Sequence, residues 1–411
     1  MERKMKDSGV DWIGIIPNDW CVEKGKHFFA QRNTKGNESP VLLAATQKSG
    51  MIPQSLLEGV VQVKLDTDLQ TFKTVHIGDF VISLRSFQGG FEMSDYEGVC
   101  SPAYQVFYNT QSIFHKYYKY LFKSYGFISK MNSLVVGIRE GKNIQYEDFA
   151  ESMLPIPPLH TQQRIADFLD RKCAEIDELA ALQETMIAEL KRYKQSIITE
   201  AVTKGLDPDV PMKDSGVEWI GEIPEGWEVK RLKLVANRRN EKADDTKLKY
   251  IGLEHIVGFS KEMVETENVY DNEGANMCYA RDVIFGKLRP YLGKAKVIED
   301  ACCCSSEFLV LCNVHRPDYL RYLMLSGWFI EIVNASTYGT KMPRANADFI
   351  MNMLIPVPHT NEQQQIADYL DRKCAEIDEL IAIKQQKIEA LKEYKKSVIF
   401  EYVTGKKEVA K

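Results

Sequence analysis

The chain has 411 residues, enough for two to four domains, and its 44% hydrophobic, 27% charged and 10% aromatic content excludes a collagen-like, mucin-like or wholly disordered polymer. A formal net charge of -5 gives no whole-chain sign of a nucleic-acid binder, so the sign has to be sought segment by segment. No run approaches the roughly 18 apolar residues of a membrane span, the start lacks a signal-peptide core, and nine cysteines, an odd number, do not make a secreted disulfide framework. A cytoplasmic protein with free thiols is expected.

In chain order, the first feature is MKDSGVDWIGIIPNDW at residues 5–20, which returns as MKDSGVEWIGEIPEGW at residues 212–227 with 12 of 16 positions identical. Residues 24–150 follow, with short β-rich runs (VVQVKL, TVHIGDFVISLR, YQVFYN) between Gly and polar turns, and a helical stretch from Phe114 to Ser133. After a Pro-x-Pro step and a Gln-rich step comes IADFLDRKCAEIDELAAL at residues 165–182, which returns at residues 366–383 with 15 of 18 identical. No Gly or Pro occurs from 159 to 204, and apolar residues recur at helical spacing, which predicts one long helix.

The second insert, residues 228–350, carries DVIFGKLR, AKVI and FLVLCNV and a helical stretch from Pro317 to Ala335, yet shares little with the first beyond Leu84-Arg85 with Leu288-Arg289 and Cys100-Ser101 with Cys304-Ser305. Each insert reads as an α+β domain. Because VTGKKEVAK after the second helix matches VTKGLDPDV after the first, the order is cyclic, and internal pseudo-two-fold symmetry is expected.

Heptad spacing puts Leu169, Ile176, Leu190 and Ile197 on one seam position, and Leu179, Met186 and Tyr193 on the other. The second copy places Leu370, Ile377, Leu391 and Val398 on the first, with Leu380 and Tyr394 on the second. If the seams pack across a two-fold axis the helices run antiparallel, and about 40 residues at 1.5 Å each make a rod of about 60 Å with the inserts at opposite ends. The boundaries expected are 1–158, 159–204, 205–358 and 359–411.

Catalytic motifs are looked for and not found. Pro157-Pro158 is followed by Leu159, not the aromatic of an amino-methyltransferase step, and Gly137 to Asn143 is one residue short of a phosphate loop and ends in Asn. Glu225, Glu228 and Lys230 resemble a nuclease cluster, but the first copy does not keep them, so an exposed charged turn is the better reading. Cys278, Cys302, Cys303, Cys304 and Cys312 with His255 and His315 lack a C-x-x-C knuckle, so buried thiols are preferred to a metal site. Charge by segment is more useful: the inserts are net +3 and +1 and the remainder is net -9, so positive charge sits in the diverged parts, as phosphate contact requires.

The paired MKDSGV-(D/E)-WIG-x-IP-x-x-W starts and the paired IADFLDRK and IADYLDRK helices closely resemble the specificity subunits of type I restriction-modification systems. GDFVISLRSFQGGF, CSPAYQVF, DVIFGKLRPYLGK, CSSEFLVL and GTKMPRANADFI look like that family's target recognition domains, and the likeness covers the whole chain. It implies two target recognition domains separated by a long antiparallel two-helix coiled coil. It also implies a subunit without catalysis of its own that directs two methylation subunits and two restriction subunits to double-stranded DNA, with S-adenosylmethionine, ATP and magnesium on those partners and no cofactor or metal on this chain. A stand-alone DNA-modifying enzyme and an adaptor without a DNA role are the competing classes.

Base discrimination needs forked donors and amides in a groove, which selects Arg85, Ser86, Gln88, Lys142 and Asn143 in the first insert and Lys287, Arg289, Lys341, Arg344 and Asn346 in the second. Arg85 and Arg289 are shared between the halves, so a phosphate contact or a structural salt bridge suits them as well as base reading. Partner docking and the coil are assigned to Leu169, Ile176, Leu179, Met186, Leu190, Leu370, Ile377, Leu380 and Leu391.

Overall fold

The computed structural model describes residues 3–36, 41–47, 49–57, 69–83, 90–134, 144–243, 248–264 and 274–409. They form two compact units, one of residues 1–182 with 387–411 and the other of residues 183–386. Mixed helix and strand run through both, and the same plan appears twice.

In the first unit the start motif forms a strand pair, Met5–Asp7 against Ile15–Pro17. The insert then enters on Cys21–Lys24 and leaves on Met153–Ile156, which pair with each other, so its two ends are tied side by side. Between them lies an antiparallel sheet in the order Phe29–Arg32, Gln105–Asn109, Phe80–Ile82, Phe91–Met93. Helices His115–Lys123 and Tyr125–Leu134 bury Tyr117, Tyr118, Leu121, Phe122 and Phe127 against it. Phenylalanines crowd the middle of this core: Phe29 meets Phe80, Phe107 and Phe149 in edge or tilted contact, and Phe80 stacks on Phe107.

The second unit repeats the plan. Met212–Asp214 pairs with Glu222–Pro224, and Glu228–Arg231 pairs with Leu354–Val357. Its four-stranded sheet runs Asn237–Arg238, Phe308–Cys312, Val283–Gly286, Ala295–Val297, the same order as in the first unit. A three-stranded sheet, Tyr250–Ile251, Cys302–Cys304, Asn276–Cys278, brings Cys278, Cys302 and Cys304 into an apolar core, the buried thiols preferred from sequence. The Cys302 contact lowers the thiol pKa of Cys278, but the Cys304 contact and burial together outweigh it and hold the thiol protonated.

The long helices are Leu159–Lys204 and Thr360–Val403. Each starts just after a proline, where a missing N–H costs nothing, and a buried glutamine fastens the start: the Gln162 amide donates to Pro157 O and Gln363 to Pro358 O, both at 2.9 Å. Each ends at a glycine in the left-handed region, Gly205 (φ 79°) and Gly405 (φ 72°). These glycines also explain why the start motif is repeated together with the helix. A Cβ at Gly405 would lie 2.5 Å from Pro17, and one at Gly205 would lie 3.3 Å from Trp227. The tryptophan of each start motif therefore packs on the end of the other repeat's helix.

Within each unit, the parts of the two long helices run antiparallel. In the first, Phe168 stacks on Tyr402 at 4.4 Å and Asp177 accepts from Lys395 at 2.6 Å, so one number rises as the other falls. In the second, Met186 meets Lys384 and Lys194 donates to Asp378 at 2.6 Å.

One feature of the seam differs from expectation. Leu169, Ile176, Leu370 and Ile377 are buried as expected, and Leu190 and Leu391 are half-buried. Leu179, Met186, Tyr193, Leu380 and Tyr394 are exposed. The second buried row is displaced by one residue, to Cys173, Ile187 and Lys194 on one helix and Cys374, Ile381 and Ile388 on the other. Heptads alternate steps of three and four, and either step from Leu169 is compatible with a helix. The bulkier residues lie at the step of three, whereas the packing uses the smaller cysteine at the step of four.

Candidate nucleic-acid interface

The frame that positions the loops rests on one buried ion pair per unit. In the first, Arg32 donates to both oxygens of Asp79 at 2.7 and 3.1 Å, the His76 N–H adds a third bond at 2.9 Å, and the guanidinium lies 4.4 Å from the Tyr108 ring. In the second, Arg239 donates to Asp282 at 2.8 and 3.1 Å, the Tyr279 N–H donates at 2.9 Å, and the guanidinium lies 4.6 Å from the Tyr279 ring. Both aspartates are nearly inaccessible, and a forked donor, a backbone N–H and an aromatic face meet the cost of burying the charge. Each latch joins the outer strand to the turn before the central strand, so it sets where the following loop leaves the sheet.

Further ties repeat. Tyr120 donates to Asp170 at 2.7 Å and Tyr322 to Asp371 at 2.6 Å, joining insert to long helix in each unit. Tyr117 donates to Val403 O and Tyr319 to Val202 O.

Beyond the second latch, positive charge gathers around Lys287. Burial lowers the pKa of this ammonium, and Arg238, Arg344 and Lys242 push it the same way against Glu307. Glu307 is committed to Arg344, which it binds through both carboxylate oxygens. Among the described residues Arg238 pairs with the exposed Asp348 at 3.3 Å. Four cations thus face two carboxylates, Glu307 and the exposed Asp348, and such a surface attracts a polyanion.

Residues 18–192 and 224–393, most of the chain in two blocks, match the family model for the type I restriction modification DNA specificity domain. The chain belongs to this family. Among curated proteins, the specificity subunit of type I restriction enzyme MjaVIII of Methanocaldococcus jannaschii is 28% identical over 70% of this chain and 69% of its own. That of EcoDI of Escherichia coli is 22% identical over 71% and 70%. Among solved structures, a chain from work on complex assembly and conformational transition of the type I R-M system aligns with a TM-score of 0.69 at 14% identity, covering 94% of this chain and 98% of its own. The HsdS subunit of Thermoanaerobacter tengcongensis aligns with a TM-score of 0.53 at 16% identity, covering 95% and 98%. These alignments bear on the fold, which is that of a specificity subunit.

The residues selected from sequence as DNA contacts in this family member divide sharply. Arg85, Ser86, Gln88, Lys142 and Asn143 lie outside the described residues. In the second unit the structure gathers Lys287, Arg289, Lys341 and Arg344 on two joined loops, with Asn346 at their end. Their tasks differ. Arg344 is held by Glu307, and Asn346 caps the helix Ala347–Asn352 by accepting from Asp348 and Phe349 N–H groups. Both are framework residues. Arg289 has left-handed backbone (φ 50°) and donates from its guanidinium to Lys341 O at 3.5 Å, so it joins the loops. Lys287 is the centre of the cationic cluster, and Lys341 is exposed.

Sequence reasoning missed the latch aspartates and Glu307. A signal for the first existed: Asp79-Phe-Val-Ile and Asp282-Val-Ile-Phe each precede a Leu-Arg step, although the two alignments differ in length. Nothing local marks Glu307, which lies 37 residues from Arg344. Among the described residues no group of His, Cys, Asp and Glu could hold a metal ion, and no helix is long and apolar enough to cross a membrane. Glu228 pairs with Lys230 at the surface, so the charge is exposed as expected, but both lie on the strand Glu228–Arg231 and not in a turn, because the insert enters here by pairing with Leu354–Val357.

Proposed function

We propose that this chain reads a two-part duplex DNA site, one part with each insert, and brings two methylation and two restriction subunits to it. The observation that carries the reading is a contrast: latch, sheet order and helix ties repeat among the described residues of both units, while the amino-acid sequences that follow the latch, SLRSFQGG and GKLRPYLG, do not. A repeated frame offers equivalent docking places to copies of one partner, and unlike loops make the DNA message asymmetric. The exposed apolar residues of the long helices suit the docking role: Leu179, Leu182 and Tyr394 in the first unit, and Met186, Tyr193, Leu380 and Ile383 in the second. In this reading the chain performs no chemical step, S-adenosylmethionine, ATP and magnesium belong to the partner subunits, and the complex works in the cytoplasm.

The test is exchange of residues 228–350 for those of a relative, followed by sequencing of modified adenines in DNA from cells carrying the chimaera with its partner subunits. One part of the site should change while the other and the modification itself persist. A change in both parts would contradict the assignment, as would turnover of S-adenosylmethionine by the purified chain alone. Leu380→Glu should weaken capture of the methylation subunit at least tenfold in a pull-down, and unchanged capture would remove this face from the docking surface.

A further inference from the structure

We propose that the turn closed by Tyr338 and Arg344 is the base-contacting finger of the second unit, with Tyr338 and Met342 set against bases and Lys341 against a phosphate. The inference rests on the DNA-recognition reading above and assigns it to residues outside the cationic cluster.

The turn is closed by two backbone bonds, Tyr338 N–H to Arg344 O at 3.2 Å and Arg344 N–H to Tyr338 O at 3.1 Å. Gly339 (φ 91°) supplies the left-handed residue the turn needs. A second loop braces it from the side: Arg289 N–H donates to Pro343 O at 2.7 Å, the Arg289 guanidinium to Lys341 O at 3.5 Å, and Ala345 N–H to Lys287 O at 2.9 Å. That brace is itself supported. The 3-10 turn Pro290–Leu292 ends at Gly293, whose carbonyl accepts from Phe259 N–H at 2.8 Å, and a Cβ on Gly293 would fall 2.4 Å from the Phe259 ring. The tip is therefore fixed before anything binds, as a reading element should be.

What this fixed tip presents is unusual for a surface. Tyr338 is 61% and Met342 58% exposed, with Tyr291 exposed on the bracing loop. Arg344, whose backbone closes the turn against Tyr338, is held through its guanidinium by Glu307. Around the apolar tip stand Lys287, Arg289, Lys341 and Arg344, with Arg238 and Lys242 behind Lys287. Apolar and aromatic groups inside a ring of cations match the chemistry of duplex DNA, whose bases and thymine methyls lie between phosphate rows. An acidic protein partner would satisfy the cations but would leave no reason for a rigid apolar tip. Arg289, Arg344 and Asn346 are then positioning residues, and Tyr338, Met342 and Lys341 make the contacts.

The experiment uses the full chain with its methylation subunits and a randomised duplex library from which bound sequences are selected. Met342→Ala and Tyr338→Ala should each weaken binding of the selected duplex about tenfold, relax base preference in one part of the site and leave binding to random duplex unchanged. Lys341→Ala should weaken selected and random duplex alike and reduce the salt dependence by about one phosphate contact. Met342→Gln, which keeps length and removes the apolar end, should behave like the alanine variant. If the Tyr338 and Met342 variants retain affinity and base preference while Arg238→Glu with Lys242→Glu abolishes binding, the finger is wrong and the DNA-recognition reading stands. If the charge-reversed pair also binds random duplex normally, the reading of this unit as a DNA interface fails with it.

Discussion

Phenylalanines crowd the first unit's core between sheet and helices, whereas the second unit sets Phe285 and Phe329 there among more aliphatic residues, buries Arg321 and packs cysteines on its three-stranded sheet. The paired aspartate latches, the tyrosine bonds to the long helices and the helix-end glycines are alike in both. The difference teaches that volume can be filled in many ways once a few directional ties fix strand order and entry angle. What has diverged is the filling and the sequence of the inserts; what persists is the set of bonds that would leave a buried charge or donor unpaired if either partner changed.

The largest expected effect breaks a latch. Asp79→Ala or Asp282→Ala leaves a partly buried arginine without its carboxylate and should cost about 3 kcal/mol. Hydrogen exchange followed by mass spectrometry should show protection lost in the sheet of the mutated unit alone. Equal loss in both sheets would mean that the units are not separate cooperative bodies. Next come the helix ends. Gly405→Ala drives a Cβ to 2.5 Å from the Pro17 ring, but Gly205→Ala meets the movable Glu362 carboxylate at 3.2 Å. Both pay for left-handed backbone, so about 3 kcal/mol is expected for the first and about 1 kcal/mol for the second by thermal unfolding. A reversed order would sink the packing argument.

The pH dependence should separate the units further. Glu92, buried in the first unit and paired with Lys123, has its pKa raised to about 7, burial outweighing the lysine. A carboxyl that holds its proton more tightly when folded makes stability fall as pH rises from about 4.5 to 7, then level off. Glu92→Gln should flatten that slope in the first unit, and an unaltered slope would show that the carboxyl ionises freely. The smallest effect concerns the helix pairs. The Lys194 side chain is 7% exposed against Asp378, and the Lys395 side chain is 31% exposed against Asp177. Lys194→Met should change stability by about 1 kcal/mol and Lys395→Met by less than about 0.5 kcal/mol in urea unfolding.

The fold was legible because near-identical segments recur around two inserts whose β-rich runs and helices are visible in the pattern. Where reading failed, the reasons are physical. The second seam row slipped by one residue because steps of three and four are both helical, and only packing decides which of the two is buried: Cys173, Ile187, Ile381 and Ile388 are, Leu179 and Leu380 are not. Arg344 and Asn346 have the right groups for base reading, but a carboxylate far along the chain and a helix N-terminus claim them first. Met342 lies in the GTKMPRANADFI stretch and Tyr338 just before it, but neither is selected, since exposed and buried apolar side chains look alike until the turn that lifts them is known.

Because residues 387–411 complete the first unit, its construction cannot finish when its own insert leaves the ribosome. The second unit, later in the message, has all its parts first. Trp20 and Tyr117 must wait for Gly405 and Val403 through the translation of some two hundred further residues, so the earlier half is the one whose apolar surface stays uncovered longest during synthesis.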